Sequence, residues 1–116
     1  KPGPEAPVMI TSNFSLTYFI VSGEIEASRV PSYLLILDTD GLSVLTAWAA
    51  GKFVGDAVGI FVKKCGINDK LTKKRLILPG ALAVISGDVE EEVGSDWEVK
   101  IGPREAANLT AYLRGM

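Results

Sequence analysis

The side chains that usually carry catalysis are scarce in this chain. Histidine is absent and Cys65 is the single cysteine. Without an imidazole there is no ordinary general base for serine, cysteine or zinc hydrolysis. A lone thiol excludes a disulfide, a four-cysteine zinc site and a cysteine-ligated iron–sulfur cluster within these residues. Difficult chemistry therefore has to come from a bound group. What the sequence offers instead is four short segments of small, hydroxyl-bearing or glycine residues. They are Thr11-Ser12-Asn13-Phe14-Ser15, Asp38-Thr39-Asp40-Gly41-Leu42-Ser43, Pro79-Gly80-Ala81 and Gly102-Pro103-Arg104-Glu105. Such segments present backbone and hydroxyl hydrogen bonds with little bulk, which suits something broad and flat laid across them.

Each segment also has a plain structural reading. Serine and threonine in the first cap helices and close turns. The second has the composition of an acidic turn, and Asp38 with Asp40 falls short of a calcium shell. Arg104, at an expected helix start, opposes the helix dipole and calls for a partner, either Glu105 or an acidic group on a ligand. Cys65, on an apolar helical stripe, reads as a small core residue. Glu90-Glu91-Glu92 reads as a solvated helix face. No G-x-G-x-x-G follows a strand and no P-loop occurs, which removes most support for a dinucleotide or a triphosphate.

The elements that position these segments follow from hydropathy. Val8-Met9-Ile10-Thr11, Tyr33-Leu34-Leu35-Ile36-Leu37, Leu76-Ile77-Leu78 and Trp97-Glu98-Val99-Lys100-Ile101 read as strands. The second is apolar on both faces, as a strand covered by helices would be. The fourth alternates, as an edge strand with one wet face would. Leu16, Phe19, Ile20 and Ala27 fall on one helical stripe, with Asn13 or Ser15 as cap and Pro31 beyond its end. A helix from Leu42 or Ser43 is expected to break near Gly51. It resumes with Val54, Val58, Phe61, Val62 and Cys65 on one face and stops at Gly66. Ala81-Leu82-Ala83-Val84-Ile85 reads as a short helix, with a strand as the alternative. Pro103 is placed at the first position of the last helix, whose buried stripe is Ala106, Leu109 and Leu113. Four β–α units in series predict an α/β fold: a doubly wound, mainly parallel sheet of four or five strands, Rossmann- or flavodoxin-like. Ligands bind such sheets outside the carboxyl ends of the strands, where the four segments lie.

At 116 residues the chain is expected to form one domain. Residues 1–7, with three of the six prolines, read as a linker from an upstream domain, and residues 8–116 as the α/β domain. Twelve basic against fourteen acidic residues give a net charge of −2, which argues against a nucleic-acid partner. Serine, threonine and asparagine interrupt the longest uncharged run, so no membrane span is expected.

Three stretches resemble one known family: residues 9–19, residues 40–52 (Asp-Gly-Leu-Ser-Val-Leu-Thr-Ala-Trp-Ala-Ala-Gly-Lys) and Gly102-Pro103-Arg104-Glu105-Ala106. They are similar to the carboxyl-terminal cobalamin-binding domain of the large (gamma) subunit of the corrinoid iron–sulfur protein. That protein serves the reductive acetyl-CoA pathway of anaerobes. The resemblance runs from about Val8 to Leu113. It implies a cytoplasmic methyl carrier, whose cob(I)amide takes a methyl group from methyltetrahydrofolate through a methyltransferase and passes it to acetyl-CoA synthase. It also implies a small-subunit partner, a reductive activator, and a [4Fe–4S] cluster only in a missing upstream domain. The resemblance further implies a corrinoid held base-off; a chain without histidine cannot supply an imidazole beneath cobalt, and no other protein ligand is expected. Cobalt(I), a d⁸ ion, prefers four equatorial nitrogens, so omitting the axial donor eases its formation.

Residue by residue, the resemblance assigns the cofactor to Thr11, Thr17, Gly41, Leu42, Ser43, Val44, Arg104, Glu105, Ala106 and Ala107. Topology adds Asn13, Gly80 and Ala81. No catalytic side chain is expected. The alternatives are a flavodoxin-like carrier holding flavin mononucleotide at residues 11–17 and an interaction module without a cofactor.

Overall fold

Five residues, Val8–Ser12, of which Val8, Ile10 and Thr11 are β-branched, form β1, which is buried along its whole length. The computed structural model describes residues 2–116. From β1 the chain runs through α1 (Ser15–Ser28), β2 (Tyr33–Leu37), α2 (Val44–Ala49), α3 (Gly55–Lys64), β3 (Arg75–Leu78), α4 (Ser86–Val93), β4 (Glu98–Ile101) and α5 (Leu109–Arg114). Short 3₁₀ turns at Ile67–Lys70, Gly80–Ile85 and Ala106–Asn108 complete it.

The sheet is parallel throughout in the order β2-β1-β3-β4, with Val8 opposite both Tyr33 and Leu76, and Arg75 opposite Glu98. Alternation along the strands feeds two cores. Val8, Ile10, Leu76 and Leu78 pack with α3 and α4 on one face. Met9 and Ile77 pack with Val21 of α1 and with Leu109 and Leu113 of α5 on the other. Helices on both faces make this the expected doubly wound α/β fold. On the second face Glu24 fastens α1 to α5: its Oε1 accepts hydrogen bonds from the Thr110 hydroxyl (2.8 Å) and backbone N–H (3.1 Å).

Several local expectations hold. The break after α2 has Gly51 at φ 76°, and Gly66 at φ 82° closes the turn after α3. The segment after Pro79 is helical, as a 3₁₀ turn bent at Leu82. β4 is an edge strand.

Others are corrected. β2 is also an edge strand and only half-buried along most of its length, so apolar residues on both faces did not report cover on both. In α1 the stripe Leu16, Phe19, Ile20 and Ala27 lies outside. Leu16 is 60% and Phe19 68% exposed, while Val21 and Ser28 are buried. The helix has two apolar stripes, and packing chose the one that includes Val21. Neither Asn13 nor Ser15 caps α1: Phe14 stands at the cap position, with no side-chain hydrogen bond to the helix end. Cys65 is exposed at the carboxyl cap of α3, where its thiol faces the Val62 carbonyl at 3.6 Å and not the core. Pro103 does not begin a helix. Regular turns start only at Ala106, because residues 102–104 are drawn onto β3 by the Gly102 N–H bond to the Leu78 carbonyl (2.9 Å).

Residues 2–7 are not free of the domain. The Pro4 carbonyl accepts from the Thr72 N–H (2.9 Å), the Pro7 carbonyl from the Tyr33 N–H (3.0 Å), and the Glu5 carbonyl from Arg75 Nη2 (2.6 Å). The segment expected as a linker therefore lies against the amino-terminal end of the sheet.

Helices α3 and α4 touch backbone to backbone at Gly55 and Gly59. A Cβ on Gly59 would collide with the Cβ of Glu92, and one on Gly55 would come 2.6 Å from the Cβ of Asp88. Glu90 and Glu91 are exposed as expected, but Glu92 is half-buried at this crossing. Gly59→Ala is expected to destabilise the fold by about 1–3 kcal/mol, the usual range for overpacking, seen as a lower urea midpoint.

Candidate functional site

The helix after β1 lies on one face of the sheet, and the chain after β3 turns to the other. Adjacent strands whose connections diverge leave a crevice at their carboxyl ends. A cleft of about 300 Å³ occupies that place. Its floor is strand: Met9, Ile10 and Thr11 from β1, with Ile77 and Leu78 from β3. Thr17 and Val21 of α1 form one wall, and Ser43, Val44 and Leu45 at the start of α2 another. Pro79 and Ala81, the loop from Gly102 to Arg104, and then Ala106 and Leu109 close the rest.

Seven of the thirteen residues expected at the cofactor converge there: Thr11, Thr17, Ser43, Val44, Ala81, Arg104 and Ala106. Asn13, Gly41, Leu42, Gly80, Glu105 and Ala107 do not line it. The apolar contributors Met9, Ile10, Val21, Leu45, Ile77, Leu78 and Leu109 were missed as site residues, whereas Pro79, Gly102 and Pro103 lie in the strand-end segments expected to face a ligand without being assigned to the cofactor one by one. The signal for the strand residues was their place at the carboxyl ends of β1 and β3, read only as core.

The polar groups of the cleft are open to a ligand. Thr11 is 3% exposed, yet neither its hydroxyl nor that of Thr17 has a hydrogen-bond partner among the described residues. Neither hydroxyl is among the fully buried unpartnered polar atoms, where Arg75 Nε stands alone among the described residues, and Thr17 is itself half-buried, so both keep an open side for whatever enters. Ser43 Oγ donates to Thr46 Oγ1 at 3.1 Å and keeps its acceptor lone pairs. Arg104 is exposed and lies in the bend before the 3₁₀ turn, not at a helix start. It has no ion-pair partner among the described residues, and Glu105 is not one.

Gly80 serves the wall instead of the opening. It is buried, and its N–H donates to the Pro103 carbonyl at 3.2 Å.

The second loop is held from within. Asn13 Oδ1 accepts from the Thr39 N–H (3.0 Å) and the Gly41 N–H (2.9 Å), and the Thr39 hydroxyl lies 2.9 Å from it, with its one proton shared with the Leu42 carbonyl at 2.8 Å. Its Nδ2 donates to Asp38 Oδ1 at 3.0 Å. Asp40 and Gly41 are both left-handed, at φ 57° and 78°, a conformation glycine adopts without strain and aspartate tolerates. Asp40 pairs with Lys52 at 2.7 Å, and that hydrogen bond, then the charge itself, raises the Lys52 ammonium above its usual pKa, with Asp38 adding to it. Among the described residues no group of three or more histidine, cysteine or carboxylate side chains is arranged to hold a metal ion, and no helix is long and apolar enough to cross a membrane.

Comparison with known proteins agrees with this picture. The family described as the CO dehydrogenase/acetyl-CoA synthase delta subunit matches residues 1–113. The chain is 51% identical over 109 residues to the corrinoid/iron-sulfur protein large subunit of Moorella thermoacetica, covering 94% of this chain and 24% of that protein. It is 41% identical over 108 residues to the acetyl-CoA decarbonylase/synthase complex subunit gamma of Methanothermobacter thermautotrophicus, covering 93% and 23%. With the gamma subunit of Methanopyrus kandleri the identity is 38% over 112 residues, covering 97% and 24%. The family takes its description from a delta subunit, whereas these individual relatives are large or gamma subunits. The chain spans about a quarter of their length. With a match over nearly all of its residues, the chain belongs to the CO dehydrogenase/acetyl-CoA synthase delta subunit family.

Proposed function

We propose that this chain is the corrinoid-binding part of a methyl carrier in the acetyl-CoA pathway, and that it holds the corrinoid base-off. One observation carries the reading: an apolar switch-point cleft rimmed by unpartnered hydroxyls, in a chain that owns no imidazole. A relative at 51% identity is named for a corrinoid. When bound, a corrinoid supplies a cobalt centre able to take a methyl group from methyltetrahydrofolate and yield it to acetyl-CoA synthase.

The chain's own residues would bind and orient. A volume near 300 Å³ is at the small end for ligand pockets, so it suits a side arm or tail, with the macrocycle across the mouth. Thr11, Thr17 and Ser43 would bond side-chain amides or the nucleotide tail. Arg104, unpaired at the rim, would meet an acidic group such as the tail phosphate. Val44, Ala81 and Ala106 keep the opening narrow and apolar. No side chain in the cleft is a general base, so the donor and acceptor enzymes bring the remaining chemistry.

The partners follow from the same reading: a small subunit, a methyltetrahydrofolate methyltransferase, acetyl-CoA synthase and a reductive activator, in the cytoplasm. A [4Fe–4S] cluster would belong to the part of such a carrier that lies outside these residues, joined through residues 1–7 to the domain of residues 8–116. Flavin mononucleotide is the poorer occupant. Neither tryptophan lines the cleft; Trp97 is buried and donates to Asn68 Oδ1 at 2.9 Å.

The test is the electron paramagnetic resonance spectrum of cob(II)alamin bound to the chain. The expected spectrum lacks superhyperfine splitting from an axial nitrogen. Such splitting, or no binding of cobalamin at all, would overturn the proposal.

A further inference from the structure

We infer that Asn13 is a positioning residue, coupling the first and second loops and so setting the mouth of the cleft without touching the ligand. The inference rests on the corrinoid reading above. Beyond the last ladder pair, Ser12 opposite Leu37, the β1–α1 and β2–α2 loops share three hydrogen bonds among the described residues and a fourth contact from the Thr39 hydroxyl, whose proton the Leu42 carbonyl also attracts, and all of them pass through this one side chain. Asn13 does not line the cleft, but both ends of what it joins do: Thr11 just before it, Ser43 and Val44 just after the second loop.

The chemistry explains why asparagine stands there. The left-handed pair Asp40 and Gly41 folds the second loop so that the N–H groups of Thr39 and Gly41 converge on one point. Converging amides of this kind make an anion site when left open. Here the Asn13 carbonyl oxygen fills the point, so these donors are spent internally and are not available to a ligand. The Nδ2 group has to donate, because its neighbour is the Asp38 carboxylate, which also accepts from the Asp40 N–H at 3.0 Å. A carboxylate at position 13 would offer the acceptor but no donor, and at neutral pH two like charges would face each other across the 3.0 Å now bridged by the amide; the repulsion pushes the side chain off the loop and takes its acceptor from the Thr39 and Gly41 N–H groups.

A swap tests this. Asn13→Asp is expected to weaken hydroxocobalamin binding to the chain about ten-fold at neutral pH, and to lower hydrogen-exchange protection of the Thr39 and Gly41 amides by a similar factor. The double variant Asn13→Asp/Asp38→Asn returns a donor to the pair, with the charge moved by one side chain, but the Asp38 Oδ1 that faced position 13 also accepts the Asp40 N–H. It is therefore expected to restore both readouts in part, to about three-fold below the parent in place of ten-fold. If Asn13 touched the ligand, no amide donor would return to position 13, and the double variant would stay as weak as the single; that result overturns the inference. Thr39→Val covers the case in which Asn13→Asp does not fold. Thr39 is fully buried and away from the cleft, so losing its hydroxyl should lower protection and affinity together, and no change in either overturns the inference. Should the parent bind no cobalamin, the corrinoid reading fails, while the exchange measurements still decide whether Asn13 couples the loops.

Discussion

Replacing Gly80 by alanine is expected to destabilise the protein by about 3 kcal/mol, the upper end of the overpacking range. The added Cβ would come 2.5 Å from the Gly102 carbonyl oxygen, 2.6 Å from the Arg104 nitrogen and 2.6 Å from the Pro103 carbonyl carbon. All three are backbone atoms, so no side chain can swing aside. The backbone of Gly80 is in a region open to any residue, which makes the effect purely steric. Relief requires the loop from Gly102 to Arg104 to move off β3, breaking the Gly80 N–H bond to Pro103 and the Gly102 N–H bond to Leu78. That loop is one wall of the cleft, so ligand affinity should fall together with stability. Urea unfolding measures the first effect and spectral titration the second; an unchanged midpoint would show that the loop is not locked onto Gly80.

Ala81, the next residue, should behave oppositely. It is half-buried and lines the cleft. Ala81→Trp has room to place its indole in the opening, which then excludes the ligand. Cobalamin affinity is expected to fall at least about 100-fold, equivalent to about 2.7 kcal/mol. The unfolding free energy should move by no more than about 0.5 kcal/mol, as for substitutions outside the packed core. Affinity that survives this change would place the corrinoid elsewhere. The pair of variants thus separates a residue that builds the wall from one that faces the ligand, although the two are neighbours in the chain.

That separation shows why a list of loop residues is an incomplete site. Both Gly80 and Ala81 were expected at the cofactor from their position after the third strand. Only the tertiary structure shows that Gly80 turns toward residues 102–104 and Ala81 toward the cleft. The same holds in α1, where Leu16, Phe19 and Ile20 repeat with helical spacing as well as Thr17 and Val21 do. Periodicity marks a stripe without saying which stripe meets the sheet. Met9 of β1, Ile77 of β3 and Leu109 and Leu113 of α5 made that choice by packing with Val21.

The sequence by itself determined the alternation of strand and helix, through short apolar runs separated by glycine, proline and hydroxyl residues. It also determined the lack of an imidazole, which no folding can supply: within these residues nothing resembles the usual lower ligand of cobalt. Other matters lay beyond it. That β1 and β3 lie side by side depends on a crossover from β2 whose length leaves the neighbour open. The late start of the last helix depends on a loop held to β3 by backbone hydrogen bonds, which override the local preference of Pro103. Which hydroxyls meet, and that Asn13 spends its polar atoms tying two loops, depends on residues more than twenty positions apart. Local spacing specifies elements because it acts within a turn or a strand; a site at their ends is specified by packing between them.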